Sequence, residues 1–521
     1  MAPARRRCHC GHVFRLLSLL GGLAAVTDLG TGSATDESLR RCVVATRLAR
    51  TIGCDDDTVR EVLYASLLQH LGCTAYAHEL SQGLGDDIAV TRLALRMDES
   101  DPRDFFRVWV PGLAAATGRS RLSAMAATAR HLRSVDAEAP VATCEVAREA
   151  SRRLGLAAPV QECLATTTSM WNGSGHPPLS GPEIPLPTRV MHVASVAVLF
   201  LLSAGPGLAL AEVRRRAGTH LDPDIAGSFL THADDLLDGI ADVDPFEAVL
   251  DGEPDPVRRV DHSELEAVAR TFGDLVDLKA PCLQSHSTTV AGLGAAAAAR
   301  LGLGAAVRTV RIAGHLHDIG RVAVPSRLWS KAESLSTTER DQTRLHPYHS
   351  ERILARIPEL ADVALLAGQH HECCDGSGYH RGLTGDRIAL PSRVLAAADA
   401  YCTLLEDRPG RGRSTSQEAA NHLRDSARAG RLDGEAVEAV LDAAGHRAHV
   451  RPGHPDGLTD RQVEVLRLVA GGFSNQQIAD TLVIARRTAE HHVQDVYLKI
   501  GASTRAAAAL YAMEHGLLTR R

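Results

Sequence analysis

Between residues 286 and 399 histidines and aspartates recur: His286, His317-Asp318, His346, His370-His371 and Asp399. A single histidine in a helical stretch is usually a satisfied core residue. Seven such groups within 114 positions, two pairs of them adjacent, read instead as a ligand set. Imidazole with carboxylate suits iron, manganese, zinc or a similar ion. Seven groups are too many for one ion, and Asp318 could bridge two. Two ions about 3.5–4 Å apart would activate a shared hydroxide and clamp a phosphate oxygen for in-line attack. A second constellation lies near the C-terminus. Arg487, Glu490, His491 and Gln494, with Lys499 near the end, fall opposite an apolar stripe, Ala489, Val493, Val496 and Ile500, when wound at 100° per residue, and Arg486-Arg487-Thr488 lead into that helix. Such a face can enter a DNA major groove.

The elements that must carry these residues come from a duplication. NGSGHPPLSGPEIPLPTRV at 172–190 reappears as DGSGYHRGLTGDRIALPSRV at 375–394. LLQHLGC at 67–73 matches HLHDIGR at 315–321, and HLDPDIAGSFL at 220–230 matches RLDGEAVEAVL at 431–441. Three collinear blocks give two copies of one helical domain, 13–240 and 261–446. Pro- and Asp-rich DGEPDPVRRVDH (251–262) reads as the linker between them, and HRAHVRPGHPDG (446–457) sets off a C-terminal module at 458–521. In the first copy the ligand positions fall at Ser38, Gln69-His70, Thr167-Thr168 and Ser195, which cannot build the same centre. Its GCTAYAHELSQGLGDD segment gathers Cys73, His78, Glu79, Asp86 and Asp87. That is a ligand pocket, a replacement metal site or, the preferred reading, a polar loop following a helix.

Composition agrees with helical domains. The 521 residues are 45% apolar and 23% charged, which excludes a disordered, collagen-like or multi-span membrane chain. Aromatics are only 3%, so Ala, Leu and Val build the core. A net charge of −6 excludes coating of nucleic acid by bulk charge. The module 458–521 carries 8 basic and 6 acidic side chains, however, leaving −8 on the rest. Eleven dispersed cysteines read as reduced thiols of a cytoplasmic protein. Arg5-Arg6-Arg7 before VFRLLSLLGGLAAV (13–26) has the outline of a signal peptide. Arg15 interrupts the run, so a ragged start and a first core helix is preferred, with Cys8, His9, Cys10 and His12 in a flexible arm. No membrane partner is expected.

The second copy resembles the HD-GYP branch of the HD phosphohydrolase superfamily, through HS at 286–287, HDIG at 317–320, HP at 346–347, HHECCDGSGY at 370–379, LPSR at 390–393 and Asp399. The resemblance implies an all-helical domain with two or more metals, here iron or manganese, that hydrolyses cyclic di-GMP or a related cyclic dinucleotide. It assigns His286, His317, Asp318, His346, His370, His371 and Asp399 as ligands, Asp318 and Arg321 to catalysis, and Arg321, Tyr379, Arg408 and Arg411 to substrate. The chain departs from the pattern in four places. Arg321 replaces a lysine, the third residue of Gly378-Tyr379-His380 is not proline, Arg408-Pro409-Gly410-Arg411 lacks an aromatic residue, and Cys282 stands where some members carry a third-metal glutamate. The first copy resembles the same superfamily with its site eroded, a domain for sensing or dimerisation.

The C-terminal module resembles a LuxR-type four-helix DNA-binding domain, through LTDRQVEVLRLVAGGFSNQQIADTL, RRTAEHHVQDVYLKIGA and TRAAAALYAMEHGLL. The resemblance assigns Glu490, His491 and Gln494 to base edges and Arg486, Arg487, Thr488 and Lys499 to phosphates. It also implies pairing of two subunits through the last helix on double-stranded DNA. The expected architecture is all-α: two tandem HD-type helical domains and a helix–turn–helix domain. Three functions remain open: a regulator that hydrolyses or senses a nucleotide signal, a transcription factor whose HD copies only sense or dimerise, and a phosphodiesterase localised by its DNA-binding tail.

Overall fold

The computed structural model describes residues 14–135, 138–445 and 455–518; Arg5 to Arg7 and the Cys8–His12 group lie outside them. Among the described residues the chain is helical apart from two short antiparallel strands. Phe14–Arg15 pairs with Arg259–Val260, joining the start of one copy to the start of the next.

The duplication is visible in matching bonds. Asp28 accepts from Ser38 N and Oγ (3.1 and 2.5 Å), as Asp277 does from Ser287 N and Oγ (both 2.9 Å). Arg189 donates to Asp222 and the Ile184 carbonyl, as Arg393 does to Asp433 and the Ile388 carbonyl. A Cβ on Gly72 would lie 2.0 Å from the Thr143 carbonyl, and one on Gly320 2.1 Å from the His346 carbonyl. Each copy therefore needs glycine where two helices approach. These matches correct the sequence register by one residue. Glu37, not Ser38, stands at the position of His286, and Thr143 stands at that of His346.

One apolar core runs through both copies. The helix Leu16–Gly30 lies at its centre, with Leu16, Leu17, Leu19 and Leu20 fully buried. At Gly22 it presses so closely on Ile357 of the second copy that a Cβ would lie 2.2 Å from Ile357 Cγ1. The apolar N-terminal run is a core helix. The first copy continues past 240, because Pro245–Gly252 packs on Glu37–Thr51. Within the segment read as a linker, Glu253 accepts from Arg15 Nε (2.8 Å) and the Tyr64 hydroxyl (2.7 Å). Leu186–Ala204 is long and apolar enough to cross a membrane by length and composition, though it carries Arg189. It is 67% buried within the protein as a core helix of the first copy.

Between Gly72 and Glu138–Arg153 the first copy carries extra helices around a small core of Leu84, Val90, Trp109, Val110, Leu113, Ala124 and Ala127. The segment read as a polar loop is part of this insertion and is helical at Cys73–Tyr76 and Ala77–Leu84. Its polar residues do not converge: Asp86 caps Asp87–Arg96, Asp87 pairs with Lys279, and His78 Nδ1 lies 3.2 Å from Ser330 Oγ.

The C-terminal module folds as Asp460–Ala470, Asn475–Leu482, Arg486–Ile500 and Arg505–Glu514. Thr459 with Gln462 and Ser474 with Gln477 close reciprocal caps on the first two, satisfying amides that helix starts leave unpaired. Ala489, Val493 and Val496 are buried as the stripe predicts, with Ile500 at its edge.

Candidate functional site

Every candidate ligand residue of the second copy except Asp399 sits at a helix end or just beyond it. His286 opens His286–Arg300, His317 caps Ala306–Leu316, His346 opens His346–Leu354, and His370 caps Ala361–Gln369. Asp399 comes from within Leu390–Leu405. The ring orientations are set from behind. His317 Nδ1 faces the Gly314 carbonyl (2.9 Å), His346 Nδ1 that of Thr343 (2.7 Å), and His370 Nδ1 that of Ala367 (2.6 Å). A carbonyl only accepts, so Nδ1 carries the proton and the Nε2 lone pair points inward. His286 Nδ1 is held by Glu406 Oε1 at 2.6 Å.

The inward nitrogens converge on one carboxylate. Asp318 Oδ2 lies 3.2 Å from His286 Nε2 and 3.0 Å from His317 Nε2. Oδ1 lies 3.2 Å from His346 Nε2 and 3.5 Å from His370 Nε2. Asp399 Oδ1 adds to the first pair (3.1 Å from His286 Nε2), and its Oδ2 is 3.6 Å from His371 Nδ1. Facing imidazoles stand only 3.2 Å apart at Nε2 in both pairs. Lone pairs aimed at each other repel unless a cation or proton lies between them. Both Asp318 oxygens are buried without a well-formed hydrogen bond. The donors fall into three overlapping groups that could hold metal ions: His286, His317 and Asp399; His317, Asp318 and His370; and His346, His370 and His371.

The charges agree with a cation site. Burial alone would raise the Asp318 pKa, but Arg321 and the surrounding histidines hold it well below the usual carboxylate value. Burial would likewise lower that of His286, yet Glu406, Asp318 and Asp399 hold it well above normal. His346 is the opposite case: burial outweighs Asp318 and brings it down to about 4, leaving a neutral imidazole.

Over this centre opens a cavity of ≈ 370 Å³. Arg321, Tyr379 and Arg408 line it. Arg321 Nη2 is 2.7 Å from Asp318 Oδ2, and its guanidinium stacks on Trp329. Arg411 does not line the cavity. It donates to the Thr403 carbonyl, holding the turn that carries Arg408. Arg408 is itself bonded to Glu406 at 2.7 Å, so a relay runs Arg408–Glu406–His286. Cys282 lies near the Trp329 carbonyl, 4.0 Å away, and in none of the donor groups. Sequence reasoning missed Trp329, Arg344 and Glu406. Arg344 stacks on Tyr379 at 4.6 Å to form one wall. For Glu406 a signal existed: it lies seven residues after Asp399, on the same helical face.

On the C-terminal module Arg486, Arg487, Thr488, His491 and Gln494 are exposed. Glu490 is half-buried and accepts from Arg486 Nε at 2.9 Å, which makes it an orienting partner for that arginine. Lys499 is exposed but turns back to the Gly457 carbonyl and Gln462 (both 2.9 Å). The last helix does not stand free. Leu510 and Met513 are fully buried in the core shared with the HD copies, and Arg270 donates to the Met513 carbonyl at 2.9 Å.

An all-helical domain centred on a buried His/Asp cluster, joined to a four-helix reader, defines the class. Residues 270–436 match the HD domain family, and residues 456–512 match the bacterial regulatory proteins of the luxR family. The chain carries both domains, and its relatives are HD phosphodiesterases. One is the 3'3'-cGAMP-specific phosphodiesterase 3 of Vibrio cholerae, 27% identical over 415 residues, covering 77% of this chain and 88% of that one. Another is the 3'3'-cGAMP-specific phosphodiesterase 1 of the same organism, 34% identical over 179 residues, covering 34% of this chain and 42% of that one. The cyclic di-GMP phosphodiesterase response regulator RpfG of Xanthomonas campestris is 37% identical over 138 residues, 26% of this chain and 36% of its own. A crystal structure of a V. cholerae cyclic GMP-AMP-specific phosphodiesterase covers 84% of this chain and 99% of its own, with a TM-score of 0.57 at 21% identity. That likeness shows the helical fold over most of the chain.

Proposed function

We propose that the chain is a DNA-binding regulator whose second HD copy holds two divalent ions, iron or manganese, and hydrolyses a cyclic dinucleotide. The observation that carries this is the Asp318 carboxylate, faced at each oxygen by a pair of inward imidazole nitrogens. His286, His317 and Asp399 would hold one ion, His346, His370 and His371 the other, and Asp318 both. When bound, such ions supply Lewis-acid activation of water and neutralise charge on a phosphodiester.

The chain's own residues do the rest. Arg321 keeps Asp318 ionised and presents a guanidinium to a non-bridging phosphate oxygen. Tyr379, walled by Arg344, and Trp329 offer faces on which bases can stack. Arg408 adds a further positive charge at the rim. Water adds to phosphorus, the ribose oxygen leaves with a proton, and a linear dinucleotide results. The exposed face of Arg486–Ile500 reads double-stranded DNA, with two subunits on an inverted repeat. The nine cysteines free among the described residues suit a cytoplasmic setting.

A second reading, binding without turnover, is favoured by Arg321 itself, whose ion pair engages Asp318 Oδ2, the oxygen that faces His286 and His317. One experiment separates the two. Full-length protein is assayed for bound metal and for conversion of 3'3'-cGAMP and cyclic di-GMP, with Asp318→Ala as control. Turnover that vanishes in the variant supports hydrolysis. Metal and tight nucleotide binding without turnover supports sensing, and protein that takes up no metal and turns over neither substrate refutes the enzyme.

A further inference from the structure

The first copy retains a cavity where its metal centre would have been. It measures ≈ 140 Å³ and is lined by Glu37, Gln69, Thr167, Thr168 and Ser195, the counterparts of second-copy ligands, with His70. Among the described residues no group of metal donors is found there. Glu37 is committed to Arg92 at 2.8 Å and to the Ala34 amide, and Ser195 donates to Gln69. Two arginines line the same cavity instead. Arg41 and Arg216 are only 2% and 1% exposed, among the most buried large side chains in the protein.

A buried guanidinium needs its donors satisfied. Arg41 gives Nε to the Ser66 carbonyl (3.0 Å) and Nη2 to Ser38 Oγ (3.1 Å). Arg216 gives Nε to Glu212 (3.2 Å) and Nη2 to the Arg96 carbonyl (2.8 Å). Neither Nη1 has a hydrogen-bond partner among the described residues, and His220 Nδ1, on the same cavity, is buried without one. The neighbouring imidazoles add no competing charge, since burial holds His70 and His220 well below their normal pKa. Glu37, already paired with Arg92, and Glu99 also line the cavity, and Arg41 and Arg216 are its buried cations, where the second copy has its donor cluster.

We propose that this vestigial centre binds a small phosphate oxyanion, free or carried on a small organic molecule, with Arg41 and Arg216 as its ligands. Forked guanidinium donors suit tetrahedral oxyanions. The volume is well under half that of the ≈ 370 Å³ cavity of the second copy, so the site excludes a cyclic dinucleotide.

The test uses full-length, metal-stripped Asp318→Asn protein, so that the second copy cannot hold phosphate through metal. Calorimetric titration with inorganic phosphate is expected to show one saturable site per chain, weakened about tenfold or more in Arg41→Gln and in Arg216→Gln. Glycerol phosphate in a parallel arm identifies the source: tighter binding than phosphate indicates an organic ligand, equal binding the free ion. Because either arginine variant could fail to fold, crystals of the parent protein soaked in selenate provide the independent measurement, with an anomalous peak expected between Arg41 and Arg216. No saturable binding, binding unchanged in folded arginine variants, or selenate located elsewhere would overturn the assignment. Loss of turnover in the second copy has no bearing on any of these outcomes.

Discussion

One carboxylate at Asp318 faces four imidazole nitrogens, and the residues around it act mostly by holding those rings still. Glu406 is the clearest case, because it belongs to none of the donor groups and acts on one of their members, His286, through Nδ1. Glu406→Ala is expected to weaken metal uptake by about 10–100-fold while the chain stays folded. Metal titration of the stripped protein reads this, and an unchanged affinity would mean that His286 is oriented by packing alone. Gly320→Ala supplies a steric counterpart. Its Cβ would lie 2.1 Å from the His346 carbonyl, so His346 must shift and uptake must fall, whereas Gly292→Ala meets open space and is neutral. The histidine and aspartate cluster was legible in the sequence because these types are rare in Ala- and Leu-rich helices and recur in order. Glu406 was missed despite its spacing from Asp399, because it works through another residue. The one-residue slip at Glu37 arose because the eroded copy has lost the side chains that would mark the register.

At the scale of elements, the helix Arg486–Ile500 was legible from its apolar stripe, Ala489, Val493, Val496 and Ile500. The insertion of the first copy was not. GCTAYAHELSQGLGDD lacks an apolar period long enough to read as helix, and its Asp87 finds its partner far along the chain. Lys279 Nζ lies 3.0 Å from Asp87 Oδ2 and donates to the Val322 carbonyl, with both side chains almost fully buried. Asp87 also accepts from Ser326 N and Oγ. The helix Asp87–Arg96 is therefore tied at one end to the turn Ile319–Ala323 that carries Arg321, and at the other it borders the cavity of the first copy through Ala94 and Leu95. Lys279→Met leaves a carboxylate buried without its cation and is expected to destabilise the protein by about 3–5 kcal/mol. Replacing Asp87 by Leu in the same chain should recover much of that. Urea unfolding of the two variants checks it, and equal loss in both would assign the effect to packing.

For the whole molecule, the question is how the reader sits on the two HD copies. Its DNA face is open, but its last helix, Arg505–Glu514, is the docking element. Thr504 Oγ1 donates to Glu145 at 2.8 Å, Arg152 lies 3.3 Å from Glu514, and Arg270 donates to the Met513 and Glu514 carbonyls. Glu145 and Arg152 belong to the first copy and Arg270 to the second, so the reader is held by both. A dimer paired through this helix, as the LuxR-type resemblance implies, cannot form while Leu510 and Met513 remain covered. Docking and pairing then compete for one apolar face, and the polar contacts at its edge set the balance. Removing two of them with Glu145→Ala and Arg270→Ala takes away about 1 kcal/mol each, a shift of roughly tenfold or more toward the undocked form. The double variant is expected to show a larger dimer fraction in sedimentation velocity and tighter DNA binding at a fixed salt concentration, where phosphate contacts are held constant. If dimer fraction and DNA affinity both stay at the wild-type level, the docked arrangement is itself the DNA-binding state, and any pairing of subunits uses another surface.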